Sequence, residues 1–329
     1  GDIDLFVGGR VIPGKYPSPP KSYLLMNEGG TFKDVISQYA PELENIGMIT
    51  DAIWSDVDGD KKEDLIVVGE WMPISIFKNQ ENTLRLNDKL DNSGGWWQSI
   101  EQIDIDKDGD FDYVVGNIGL NNKFVNKEKG KTLKVFGNDF DNNGSMDIVL
   151  AQDYQGKLVP VRGKECSSEQ MPFINQKITN YQSFANSDLA AIYGAEKLNK
   201  AVQYEAQTFQ SCILKNNNGK FSIVNLPRVA QIAPIKDIVV KDINKDGHED
   251  LILVGNIYGT EVETIRYDAG IGSVMLSDGQ GNFNPIPNSE SGFFSNGNTR
   301  NMSIIRLANE EQYLLVSNNN GELDVYRLL

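Results

Sequence analysis

Along this chain, short runs of Val, Ile and Leu recur between turns built from Asp, Asn and Gly, and one acidic string introduces them four times. The copies read DVDGDKKEDLIVVG from Asp56, DIDKDGDFDYVVGN from Asp104, DFDNNGSMDIVLA from Asp139 and DINKDGHEDLILVGN from Asp242. A run this short, β-branched and bounded by turn formers predicts a buried strand rather than a helix. The opening GDIDLFVGG repeats the last part of the same unit. The sequence therefore reads as starting mid-repeat, with any targeting segment expected upstream.

A second piece recurs downstream as an apolar strand, a turn of Asn, Asp and Gly, and a Phe-led strand. Its copies are SYLLMNEGGTFKDVI from Ser22, SCILKNNNGKFSIVNLP from Ser211 and SVMLSDGQGNFNPIP from Ser273. The turn chemistry makes each a hairpin. One further strand precedes each acidic loop, as in MITDAIW before Asp56 and IKDIVV before Lys241. A unit is thus three or four antiparallel strands, the content of one propeller blade, and it buries both faces only by stacking on its neighbours. The prediction is an all-β fold, a single β-propeller of about six blades spanning residues 1–329.

The equivalent residues Asp64, Asp112, Asp147 and Asp250 are separated by 48, 35 and 103 positions, so one gap is too long for a plain repeat. Within it, over residues 155–207, Tyr181, Phe184, Ala185, Leu189, Ile192, Tyr193, Leu198 and Val202 recur at helical spacing. This predicts a helical insertion within one blade, with Gly194 as a natural break between two shorter helices. The final NMSIIRLANEEQYLLVSNNNGELDVYRLL keeps the strand rhythm without an acidic loop.

The acidic strings place oxygen donors at alternate positions, the pattern of a loop that curls around a hard cation such as calcium, which takes six to eight oxygen ligands. The candidate ligands of the first loop are Asp56, Asp58, Asp60, the Lys62 carbonyl and Asp64. Those of the second are Asp104, Asp106, Asp108, the Asp110 carbonyl and Asp112. The third offers Asp139, Asp141, Asn143, the Ser145 carbonyl and Asp147, and the fourth offers Asp242, Asn244, Asp246, the His248 carbonyl and Asp250. Up to four Ca2+ ions are expected. Gly109, Gly144 and Gly247 stand at the sixth position, where a tight loop needs positive φ. The first loop has Lys61 there and Gly59 at the fourth position, so a different backbone path and weaker binding are expected of it. An EF-hand would need a bidentate Glu at the twelfth position. That position holds Val67, Val115, Leu150 and Leu253, each inside an apolar run.

With four such loops each launching the same kind of strand, the chain resembles the FG-GAP/VCBS repeat proteins, whose units build integrin-α-like β-propellers with calcium held in these loops. RGKECSSEQMPF, the helical segment and the ending VSNNNGELDVYRL are similar to large bacterial surface or secreted VCBS-repeat proteins of the cartilage acidic protein group. The resemblance implies an extracytoplasmic, non-catalytic module that binds a protein or glycan at the cell surface.

Charge narrows the choice of partner. With 46 acidic against 31 basic residues the net charge is −15, and no basic cluster suits a phosphate backbone, so nucleic acid is not expected as a partner. No apolar run approaches the roughly 20 residues of a membrane span, so direct insertion is not expected either. The single histidine, His248, lies inside the fourth acidic loop, which leaves a histidine-based triad without its base. The alternative is a carbohydrate-active enzyme working through paired carboxylates on the propeller. Trp54 and Trp71 are expected between blades and Trp96 and Trp97 nearer the surface, while Arg10, Arg162 and Arg266 are expected to be ordinary surface charge. Cys166 and Cys212 fit either a disulfide or two thiols.

Overall fold

The computed structural model describes residues 3–125, 132–260 and 264–328. Among them the strands form six antiparallel sheets. The first contains Leu5–Val7, Tyr23–Glu28 and Thr31–Asp34. The second runs Met48–Ser55, Asp64–Met72, Ser75–Gln80, Thr83–Lys89, with the short Gly95–Trp96 paired to the end of Asp64–Met72. The fifth runs Asp237–Lys241, Asp250–Val254, Ser273–Ser277, Phe283–Ile286, and the sixth Thr299–Arg306, Gln312–Asn318, Asp324–Leu328. The fold is all-β and propeller-like, as the repeats predict.

The central strands are apolar throughout because successive side chains point to opposite faces and both faces are covered. In Asp64–Met72, Leu65 and Val67 join Ile36, Leu43 and Phe77 on the side of the first sheet, whereas Ile66 and Val68 join Tyr113, Val115 and Leu214 of the third. In Asp250–Val254, Leu251 and Leu253 face Ile103 and Val114 of the third sheet, and Ile252 and Val254 face Leu314 and Val316 of the sixth. The first, second, third, fifth and sixth sheets are therefore stacked face to face in that order. Polar latches link their innermost strands. Asp51 Oδ2 accepts the Ile100 N–H at 2.9 Å, the Ser99 hydroxyl donates to the Ile235 carbonyl at 3.0 Å, and Asp237 accepts the Met302 N–H. Among the described residues, no strand pairing and no core cluster joins the sixth sheet to the first.

The third sheet is assembled from two distant pieces of chain. Its inner strands Ser99–Ile103 and Asp112–Gly116 are completed by Cys212–Asn217 and Lys220–Asn225, with Tyr113 opposite Leu214 and Val115 opposite Cys212. Between the two halves, in sequence, lies the whole fourth sheet, Leu133–Asn138, Asp147–Tyr154, Lys157–Pro160 and Val202–Ala206, whose Leu133, Val135 and Ala206 pack with Met48 and Trp71 of the second. The third acidic loop and its strand belong to the fourth sheet.

Five short helices, Lys164–Gln170, Phe173–Lys177, Tyr181–Asn186, Leu189–Tyr193 and Ala195–Lys200, fill the connection from Lys157–Pro160 to Val202–Ala206. Their apolar residues Ile174, Phe184, Leu189, Ile192 and Leu198 cover Phe136, Phe140 and Val149 of the fourth sheet. Gly194 has φ 90° where two of the helices meet, a conformation that favours glycine. Val202 is not helical; it is the first residue of a strand and pairs with Gly137, an edge contact that overrides its spacing to the helices. Neither cysteine is in a disulfide: Cys212 is buried in a strand and Cys166 lies half-buried in a helix. Among the described residues, no helix is long and apolar enough to cross a membrane.

Candidate metal centres

Each acidic loop joins the innermost strand of its sheet to the next one, except the third, which joins Leu133–Asn138 to Asp147–Tyr154. All four follow one backbone path. The fourth position has φ 76° at Gly59, 60° at Lys107, 62° at Asn142 and 61° at Lys245, and the sixth has φ 69° at Lys61, 94° at Gly109, 86° at Gly144 and 91° at Gly247. The first loop thus does not take the separate path expected from its sequence. Lys61 is held in the left-handed region instead, at a cost of roughly 1–2 kcal/mol.

That path is held by the loop's own oxygens. The N–H of the fifth residue donates to the first aspartate, from Asp60 to Asp56 at 3.1 Å, from Asn143 to Asp139 at 2.9 Å and from Asp246 to Asp242 at 3.2 Å. The N–H of the seventh donates to the fifth side chain, from Lys62 to Asp60 at 2.9 Å, Asp110 to Asp108 at 2.9 Å, Ser145 to Asn143 at 2.7 Å and His248 to Asp246 at 2.8 Å. The Gly144 N–H holds Asp139 below the usual range, and the His248 N–H does the same for Asp246.

Three triads of carboxylates result. In each of Asp56–Asp58–Asp60, Asp104–Asp106–Asp108 and Asp139–Asp141–Asp147, one oxygen per residue lies within 4.8 Å of the others. The fourth loop carries Asn244 where the others have Asp and forms no such triad of acids among the described residues. Donor chemistry and spacing fit a hard divalent cation. Asp104 adds a direct sign, since its Oδ1 is buried and has no hydrogen-bond partner. A carboxylate oxygen shut away from water and protein donors is costly unless a cation completes it.

The ninth residue of each loop behaves differently. Asp64, Asp112, Asp147 and Asp250 are all buried, and each ties its loop to the sheet. Asp64 accepts from Val57 N–H at 3.3 Å and Asn79 N–H at 2.7 Å, and Asp250 accepts from Ile243 N–H and Ser277 N–H, both at 2.9 Å. Asp112 accepts from Asn216 N–H at 2.7 Å, and Asp147 from Phe140 N–H at 2.9 Å. Burial raises Asp64 and Asp147 above the ordinary carboxylate range and pushes Asp112 up to about 6. These residues are latches first; each oxygen keeps a second lone pair through which it could also meet an ion.

Two features of the loops escape a reading by repeat. Val57, Ile105 and Phe140, the second residues of the first three loops, are buried and anchor them in the core. Lys78, from the neighbouring strand Ser75–Gln80, places Nζ 2.7 Å from Asp58 Oδ2 and holds that carboxyl below its usual range, so the first loop carries its own counter-charge. His248 lies with its ring beside Gly279.

Two of the tryptophans, Trp54 and Trp97, are not placed as expected. Trp54 is the most exposed of the four, at 39%, while Trp97 is fully enclosed and donates from Nε1 to the Ser93 carbonyl at 2.8 Å. Trp71 and Trp96 meet edge to face at 4.8 Å and line a cavity of about 350 Å³. Arg10 and Arg162 line the same cavity, Arg10 remaining exposed, and Arg266, also exposed, stacks on Tyr258 at 4.2 Å.

Residues 56–115 match the family model described as FG-GAP-like repeat, a stretch that holds the first two acidic loops and the strands they launch. No curated protein matches the chain. Among solved structures, a match covers 84% of this chain and 92% of the chain in "Crystal structure of BBS1N in complex with ARL6DN, soaked with mercury", at 10% identity and a TM-score of 0.17, too remote to carry an argument. The chain contains an FG-GAP-like repeat, set in a mostly antiparallel all-β, propeller-like fold.

Proposed function

We propose that this chain is a calcium-stiffened, non-catalytic binding module that works outside the cytoplasm, of the kind found in VCBS-repeat surface proteins of the cartilage acidic protein group, and engages a protein or glycan at the cell surface. The observation that carries the calcium reading is the second loop, where three aspartates converge within 4.8 Å and one buried oxygen has no protein partner. Asp104, Asp106 and Asp108 would hold the ion there, with Asp56, Asp58 and Asp60 in the first loop and Asp139, Asp141 and Asp147 in the third. The fourth loop, with Asp242, Asn244, Asp246 and Asp250, offers fewer charges and is proposed as the weakest of the unmodified cages. Lys62, Asp110, Ser145 and His248 would contribute backbone carbonyls. Bound calcium would supply charge neutralisation and would stiffen the turn that enters each central strand.

The preference for a binder over a glycosidase rests on the aromatic cavity. A glycosidase needs two carboxylates facing a substrate cavity, about 5–10 Å apart. The aromatic cavity has Glu70 as its one carboxylate among the described lining residues, and Glu70 is engaged at 2.5 Å by Arg10. Loops that are exposed and charged suit the millimolar calcium of extracellular spaces.

Calcium at a hundred times its Kd is expected to stabilise the fold by about 2.7 kcal/mol per site. Unfolding in calcium and in EDTA, with elemental analysis of the purified protein, tests this. Identical melting curves and no bound metal would remove calcium from the reading. A glycan array run beside a hydrolysis assay tests the rest, and turnover of any bound glycan would replace the binder with an enzyme.

A further inference from the structure

The sequence holds four Asn–Gly pairs, Asn143–Gly144, Asn218–Gly219, Asn296–Gly297 and Asn320–Gly321. Such a pair can close on itself, because attack of the glycine nitrogen on the asparagine side-chain carbonyl forms a five-membered ring and glycine has no Cβ to obstruct it. Asn143 occupies the fifth position of the third acidic loop, where the other loops have Asp60, Asp108 and Asp246. The pair is exposed to water, and the space around Gly144 is open.

The loop engages each group of that ring closure. The Gly144 N–H, the attacking group, donates to Asp139 Oδ2 at 2.9 Å. The carbonyl under attack is polarised, since Asn143 Oδ1 accepts the Ser145 N–H at 2.7 Å, a distance at which a backbone donor stabilises a developing oxyanion. The nitrogen that must leave is held too, with Nδ2 donating to Asp141 Oδ2 at 3.0 Å. The Asn143 main-chain N–H is shared between Asp139 Oδ1 at 2.9 Å and Asp141 Oδ1 at 3.1 Å, so backbone and side chain are fixed on the same two carboxylates.

In other loops this frame surrounds an inert group. The Lys61 N–H donates to Asp56 Oδ2 at 2.7 Å and the Lys62 N–H to Asp60 Oδ1 at 2.9 Å, while Gly247 N–H donates to Asp242 Oδ2 at 2.9 Å and His248 N–H to Asp246 Oδ1 at 2.8 Å. There the fifth residue is an acid, and an ionised carboxylate is a poor electrophile. The remaining Asn–Gly pairs show the reverse combination, an amide without the frame. Gly219 donates to the neutral Asn216 Oδ1 at 2.9 Å and Gly321 to the Asn318 carbonyl at 3.4 Å.

We propose that the third acidic loop cyclises its own Asn143 and converts it to an aspartyl or isoaspartyl residue. The Gly144 nitrogen attacks Asn143 Cγ and passes its proton to Asp139, which already accepts the hydrogen bond. The Cγ–Nδ2 bond then breaks, Nδ2 takes up that proton and leaves as ammonia, and a succinimide remains. Water opens the ring at either carbonyl, so the balance is water consumed and ammonia released. An aspartyl product supplies the acid that the other three loops carry at this position, whereas an isoaspartyl product lengthens the main chain by a methylene. Both reacting groups belong to the chain, so the proposal involves no ligand and depends neither on the binding-module reading nor on calcium.

Peptide mapping by mass spectrometry of the folded chain, aged at neutral pH in EDTA, tests it. Asn143 is expected to deamidate at least about tenfold faster than Asn218, Asn296 or Asn320. In urea the four pairs should converge on similar rates, because unfolding removes the frame and leaves only the shared dipeptide. Asp139→Asn should slow the reaction at Asn143 about tenfold while leaving the other three pairs unchanged. Reaction at Asn143 no faster than at the other pairs, an advantage that persists in urea, or a parental rate in the Asp139 variant would each overturn the assignment. The ranking within the unaltered chain decides the matter even where the variant folds poorly.

Discussion

The aspartates of the acidic loops and the carboxylates on the innermost strands are both crowded by like charge, and they relieve it in opposite directions. In the loops, backbone N–H groups and open solvent keep Asp139 and Asp246 ionised below their usual range. On the inner strands, burial followed by the charges of Asp237 and Asp51 pushes Glu101 up to about 7, and burial pushes Asp237 up to about 6. Burial likewise lowers Lys236 to about 8, with Arg10 and Arg300 adding to the effect. Residues of one chemical type therefore stay charged where water and backbone donors reach them and take up a proton where they do not.

The sharpest break in this comparison should come from the latch. Asp250→Ala removes a buried acceptor of two backbone N–H groups, and the orphaned donors should cost about 3 kcal/mol even in EDTA. Asp246→Ala, on the exposed side of the same loop, should cost less than about 1 kcal/mol in EDTA and should act mainly by lowering the response to calcium. Urea unfolding of both variants with and without calcium measures this, and equal losses in EDTA would merge latch and cage into one function.

A middle-sized effect is expected from pH. Glu101 ordinarily titrates near 4.5 and is raised to about 7 in the fold, so the folded state holds the proton more tightly. Its contribution to stability is complete below about 4.5 and is lost as pH rises to about 7. Glu101→Gln should match the parent near pH 4.5 and exceed it by about 1–2 kcal/mol at pH 8, the figure allowing for partial solvent screening. A variant whose advantage does not grow over that interval would place Glu101 outside the proton-binding group.

The smallest effect concerns the first loop. With Asp104, Asp139 and Asp242 changed to Ala to isolate that site, Lys78→Met should raise its calcium affinity by roughly tenfold, because the competing ammonium on Asp58 is gone. Unchanged affinity by calorimetry would show that Lys78 swings away at no cost.

The strands and the acidic loops could be read from sequence because their signals are local: oxygen donors at alternate positions, glycine at a forced turn, and an apolar run immediately after. The buried role of the ninth aspartate could not, since its donors Asn79, Asn216 and Ser277 sit on strands that the repeat does not place beside it. Nor could Lys78 or the cavity, which gathers Arg10, Trp71, Trp96 and Arg162 from four separate stretches of the chain. Trp97 was misplaced for a related reason. The turn at Ser93 folds back so that its carbonyl meets the indole, and a residue that follows a polar turn ends inside the core.

The nesting of the fourth sheet inside the third has a consequence for how the chain is made. Asp112 waits for the Asn216 N–H, and Val115 for Cys212, so a chain emerging in order exposes the inner half of one sheet throughout the synthesis of an entire other sheet and its helices. Loop closure over so long an interval is slow, and it becomes easier only if the inserted sheet condenses first and brings its two ends together. The ribosome-bound chain should thus pass through a stage in which the last part to be inserted is already compact while its host still presents an open edge to other proteins.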